Sequence, residues 1–128
     1  MGAWGFGPLE NDGASDLIAE IEDGDFSFEG VEWAFEDEDY LEVDGGQMAI
    51  AMAALVQVGR GERPLPHELS PTGLEAFMSQ IGPEQLEFIQ EQVKRALSSP
   101  DESELYELWL ETDEFDQWYE ASNISVRP

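Results

Sequence analysis

A chain of 128 residues with 30 acidic against 5 basic residues and a formal net charge of −25 is set apart first by its charge. That balance excludes nucleic acid as a partner, since phosphate contacts need clustered Lys and Arg, and the same Coulomb sign disfavours anionic membranes. The absence of cysteine removes disulfide and thiolate chemistry, and the length predicts one domain, residues 1–128, whose core needs no covalent or metal staple.

In chain order, residues 1–12 hold Trp4 among Gly2, Gly5 and Gly7 and are expected to be ordered. Trp4 is expected to bury against the core, with the glycines letting backbone pass close to it. Pro8 turns the chain. Asn11 or Asp12 caps a first helix whose Ala14, Leu17, Ile18 and Ile21 share one stripe, and Glu22-Asp23-Gly24-Asp25 ends it. From Ser27 the spacing of Phe28, Val31 and Phe35 predicts a second helix, although Phe26 and Phe28 also alternate as a strand does. Asp44-Gly45-Gly46 reads as a break before Gln47 to Val58, which is apolar on every face of the helical wheel. Such a helix is central and buried, with Gly59 just past its end.

Residues 60–71 contain three prolines and read as an exposed loop. Leu74, Phe77, Met78 and Ile81 then predict a short helix from Pro71, stopped by Gly82. Pro83 opens the next helix, whose stripe is Leu86, Ile89, Val93 and Leu97. Asp101 or Ser103 caps a helix carrying Leu105, Leu108 and Trp109, and Tyr106 and Leu110 widen its apolar arc enough for two covering neighbours. A last helix groups Phe115, Trp118 and Tyr119, and residues 123–128 are expected to be a loose tail. The fold class is all-α: five to seven short helices around the central one at 47–58.

Few residues suggest catalysis. His67 is the only histidine, and His67-Glu68 lacks the second histidine of a zinc helix because Pro71 stands there. The run from Asp23 begins like a calcium loop, but Phe28 and Ala34 occupy its glycine and glutamate positions. No phosphate-binding glycine loop occurs, and no cofactor is expected. The carboxylate clusters are Glu36-Asp37-Glu38-Asp39 and the trio Glu104, Glu107 and Glu111, on one face of a helix. Solvated faces usually carry such runs; Glu104, Glu107, Glu111, Glu36 and Asp39 are the weak candidates for a divalent metal. The four tryptophans (Trp4, Trp33, Trp109, Trp118) are expected to complete the core. Phe6 stands where a myristoylation signal needs Ser or Thr, no signal peptide is visible, and the apolar run near 48–56 is too short for a membrane. A cytoplasmic location is expected.

The opening Met1-Gly2-Ala3-Trp4-Gly5-Phe6-Gly7-Pro8-Leu9-Glu10-Asn11-Asp12 resembles the start of a bacterial family, domain of unknown function 4259. Its members typically open M-G-x-W-G-x-G-x-F-x-N-D, and Leu9 departs mildly from that pattern. Asp39-Tyr40-Leu41-Glu42 before an alanine-rich helix, and Ser103-Glu104-Leu105-x-Glu107-Leu108-Trp109 followed by Trp118, are similar to the family's later features. The motif residues are thus Gly2, Trp4, Gly5, Gly7, Asn11, Asp12, Trp109 and Trp118. The resemblance implies a small bacterial protein, mostly cytoplasmic, with no established activity.

Charge then directs the functional expectation. The first reading is a non-enzymatic protein whose acidic surface meets a basic protein partner, such as a toxin domain or a nucleic-acid-binding protein, in an inhibitor or immunity-like role. A second is a metal-dependent binder or hydrolase built from carboxylates, among them Asp12, Asp16, Glu36, Asp39 or the Glu104 trio. A third is plain adaptation to a salty cytoplasm. Oligomeric state is left open.

Overall fold

The computed structural model describes residues 3–126. Its elements are α1 (Asp12–Asp23), α2 (Phe28–Val31) running into a 3-10 turn (Glu32–Phe35), α3 (Val43–Gly59), α4 (Pro71–Ser79), α5 (Pro83–Ala96), α6 (Glu104–Leu110) and α7 (Phe115–Ser122). The fold is all-α: among the described residues there are two isolated bridges, Ala3 with Asn11 and Leu41 with Ser103, and no strand. No helix among them is long and apolar enough to cross a membrane.

The periodic stripes become the core. Asn11 caps α1, its side chain accepting from the Ala14 N–H at 2.8 Å, and Gly24 ends the helix in the left-handed region at φ 80°. Ala14, Leu17, Ile18 and Ile21 are buried, as are Leu86, Ile89, Val93 and Ala96 of α5. Between these helices runs α3, with every residue from Ala49 to Val56 buried and with α1, α4, α5 and α6 against it. Four alanines on α3 let those neighbours approach closely. Each fully buried Ile, Leu or Met contributes about 1.5–3 kcal/mol, so this helix is the energetic centre of the molecule.

Several expectations are corrected. Asp44-Gly45-Gly46 is no break but the first turn of α3. A Cβ on Gly45 would lie 2.8 Å from the Ala34 carbonyl oxygen, and one on Gly46 would lie 3.1 Å from Leu105. These glycines are places of close approach, which look like punctuation when only the sequence is read. Gly59 is likewise inside α3, pressed by Met78, and Gly61 takes the left-handed position (φ 76°) instead. Leu110 is 50 % exposed, so the apolar arc of α6 is narrower than expected.

The two ends of the chain also differ from expectation. Ile124 and Val126 are buried, so residues 124–126 are no loose tail. Gln90 on α5 holds them: its Oε1 accepts from the Val126 N–H at 2.6 Å, and its Nε2 donates to the Ile124 carbonyl at 3.4 Å. At the other end Trp4 is 63 % exposed and does not enter the core. The opening segment is ordered by its backbone, with Trp4 N–H donating to the Glu10 carbonyl and Glu10 N–H to the Gly7 carbonyl, both at 3.1 Å. What lies against Gly5 and Gly7 is the Glu10 carboxylate, and it accepts from the Gly7 N–H. Met1 and Gly2, at the start of the segment expected to be ordered, lie outside the described residues.

Carboxylates also serve as distant caps. Glu22 of α1 accepts from the Ser70 N–H at 3.0 Å and from its hydroxyl at 2.8 Å, while the Ser70 Oγ itself caps α4 by accepting from Gly73 N–H. The Ser70 N–H, then its hydroxyl, hold the Glu22 carboxyl below its ordinary pKa. A lowered folded-state pKa stabilises above the ordinary carboxylate range, and that contribution disappears as pH falls through the folded value. Glu22→Gln should therefore be less stable than the native chain at pH 7, with a smaller gap at about pH 3, below the ordinary carboxylate range. Urea melts of both proteins at the two pH values check it; a gap independent of pH would contradict the ionic cap.

Candidate functional site

Phe28, Val31 and Phe35 face the core, Phe28 and Phe35 both meeting Phe88 edge-on with centroids 5.6 and 5.4 Å away. Trp33 lies between Val31 and Phe35 in sequence, hence on the opposite side of the turn, and its indole is 58 % exposed. The acidic run that follows is folded back on itself. Asp37 Oδ1 accepts from the N–H groups of Asp39 (2.9 Å) and Tyr40 (3.2 Å). Arg95 on α5 fixes this turn from outside, donating to the Asp37 carbonyl at 2.6 Å and to Gln92 at 2.8 Å.

Leu41, fully buried, anchors the next step. Its N–H donates to the Glu102 carbonyl at 2.7 Å, and its carbonyl accepts from the Glu104 N–H at 2.9 Å. The Glu104 carboxylate then accepts from the Val43 N–H at 2.8 Å, capping α3 from 61 residues further along the chain. Ser103 completes the joint, accepting from the Tyr106 N–H and donating to the Ala96 carbonyl. The segments Asp39–Glu42 and Ser103–Trp109, far apart in sequence, are therefore two halves of one seam.

Above this seam opens a pocket of about 230 Å³, walled by Trp33 and Tyr40 and edged by Glu36, Asp37, Glu42 and Asp44. Its charged lining is entirely carboxylate. Partial burial raises the pKa of the Tyr40 phenol, and the carboxylates of Glu104, Glu107 and Glu42 push it the same way. Tyr40 is thus the point on which two acidic clusters of the sequence converge. An aromatic face beside several carboxylates attracts a cation twice, through the ring quadrupole and through charge. An ammonium or guanidinium group fits both demands.

Other sequence candidates lie elsewhere. Among the described residues no three His, Asp or Glu side chains are grouped as a metal site requires. Glu104 spends its carboxylate on α3, and Glu111 lies just past the end of α6, so Glu104, Glu107 and Glu111 do not act as a trio. Glu36 lines the pocket, whereas Asp39 is an exposed residue of the turn and is absent from its lining. His67, Asp12 and Asp16 are exposed, with Asp12 in the first turn of α1. Trp109 and Trp118 are buried and stacked, centroids 5.8 Å apart at 7°, so only two of the four tryptophans are core. Two larger clefts, of about 470 and 590 Å³, lie beside residues 123–125 and mix amides and apolar groups with isolated charges, Lys94 in one and Arg63 and Glu120 in the other. Neither gathers charge as the smaller one does.

A protein class follows from this arrangement: a small all-helical domain presenting an acidic, aromatic-walled pocket. The chain belongs to the family described as Domain of unknown function (DUF4259), whose model matches residues 2–121. No curated protein and no solved structure matches the chain.

Sequence reasoning missed Trp33, Tyr40, Glu42 and Asp44. For Trp33 a signal existed, since two residues from Val31 and from Phe35 places it opposite the apolar stripe. Tyr40 and Glu42 stood only in a stretch similar to the family's, and Asp44 carried no signal, because their grouping as a pocket depends on the seam with residues 102–104.

Proposed function

We propose that this protein is a non-enzymatic binding module whose pocket takes a Lys or Arg side chain from a basic protein partner. The observation that carries the reading is the exposed Trp33 indole beside Glu36, Asp37, Glu42 and Asp44 in one pocket. A net charge of −25 supports it further, because long-range attraction speeds encounter with a basic surface before the pocket fixes one side chain. Exposed aromatics of this kind are frequent binding hot spots.

An Arg- and Lys-rich peptide of defined sequence, titrated against the full chain by isothermal calorimetry, tests the reading. Binding should weaken as salt rises, and Trp33→Ala should weaken it at least about 10-fold. Trp4→Ala, altering an exposed indole absent from the pocket lining, should leave the affinity within about 2-fold. Equal affinities for the native chain and Trp33→Ala would reduce the attraction to diffuse charge and overturn the pocket.

A further inference from the structure

The residues of the opening motif and the late tryptophans meet at a second place, independent of the acidic pocket. Asn11, Gln47, Trp109, Trp118 and Ser122, all buried, share the wall of a small cavity of about 10 Å³. Ser122, in the last turn of α7, is 1 % exposed, and among the described residues its Oγ has no hydrogen-bond partner. A hydroxyl so placed forfeits its hydration without replacing it, a costly arrangement that native interiors rarely keep.

We infer that this cavity is the site of one structural water molecule bound by the Ser122 hydroxyl and the Asn11 side chain. The volume is about that of one water-sized sphere, the least a cavity needs to hold water. The chemistry agrees. The polar side chains on the wall are a hydroxyl and two amides, neutral groups that both donate and accept, as water requires and a metal ion does not. Asn11 Oδ1 already accepts from Ala14 N–H and carries a second lone pair, while its Nδ2 reaches the Pro8 carbonyl only at 3.5 Å. The amide therefore has capacity left on both atoms. The rest of the wall includes the stacked indoles, Ile50 and Leu105, all buried.

One water so held joins the cap of α1 to the last turn of α7. It explains why a buried serine occupies a position that an alanine would fill without an unpaired hydroxyl. Water-selective NOE and ROE spectra of the isotope-labelled full chain test the inference. The native protein should give cross-peaks from water to the Ser122 amide and Asn11 side-chain protons, with the sign of a water held for nanoseconds or longer. In Ser122→Ala those peaks should vanish, and Tm should fall by about 3–6 °C as the water loses a partner. Absence of the cross-peaks in the native protein overturns the inference, even if Ser122→Ala fails to fold. A Tm in Ser122→Ala equal to or above the native value overturns it too, since removing an orphan hydroxyl from a dry cavity stabilises.

Discussion

Trp118→Ala should cost about 3–5 kcal/mol of folding stability, and Trp4→Ala less than about 1 kcal/mol. Both are tryptophans in segments that resemble the family, and only structure separates them. Trp118 is buried, stacked on Trp109 at 5.8 Å, with Phe115 at 5.7 Å and Tyr106 edge-on at 6.3 Å. Its removal leaves a void among rings that cannot all collapse into it, which adds a cavity cost to the lost transfer energy. Trp4 loses almost nothing, because its indole is already in water and its backbone N–H keeps its bond to Glu10. Urea denaturation followed by far-UV circular dichroism gives both numbers. A loss below 1 kcal/mol for Trp118→Ala, or above 3 for Trp4→Ala, would contradict these assignments.

Gly45→Ala is the second large effect, and its sign is the informative part. Helix propensity alone promises a gain of about 0.5–1 kcal/mol for replacing a helical glycine by alanine. Packing opposes it. The new methyl carbon would stand 2.7 Å from Leu41 Cδ1 and 2.8 Å from the Ala34 carbonyl oxygen. The second neighbour is backbone and cannot swing aside, so the segment bearing Trp33 would have to move off α3. Overpacking of that kind costs about 1–3 kcal/mol, and Gly45→Ala should come out net destabilised. A stabilised variant, measured by the same denaturation curves, would show that the approach of Ala34 to α3 is looser than described.

What the sequence made legible was whatever repeats along one helix. The stripes of α1 and α5 and the all-round apolarity of α3 are strong local signals; α1 and α5 stand where their periods placed them, while α3 begins four residues earlier, at Val43. Residues whose role depends on something distant left no such trace. Gly45 and Gly46 read as breakers because glycine's commonest reason is a turn, while theirs is a neighbour 3 Å away. Ile124 and Val126 read as loose because nothing beside them in sequence announces Gln90. At the candidate site the acidic runs were visible one by one. Their convergence on Tyr40 needed the Leu41 seam, made by backbone bonds across some sixty residues, which no periodicity encodes.

The long reach of Glu104 to the start of α3 has a consequence for synthesis. A ribosome delivers the chain in the N-to-C direction, so of the described elements α1, α2 and the 3-10 turn emerge before α3. Its remaining neighbours α4, α5 and α6, and the carboxylate that caps it, all come later. At about 5–20 residues per second, the stretch from Gly59 to Glu104 takes roughly 2–9 s to follow. The most apolar helix of the protein gains its cover piece by piece over that interval, from α4, then α5, then α6. Until that cover is complete, the uniformly negative charge of the residues ahead of Arg60 works against association of neighbouring nascent chains.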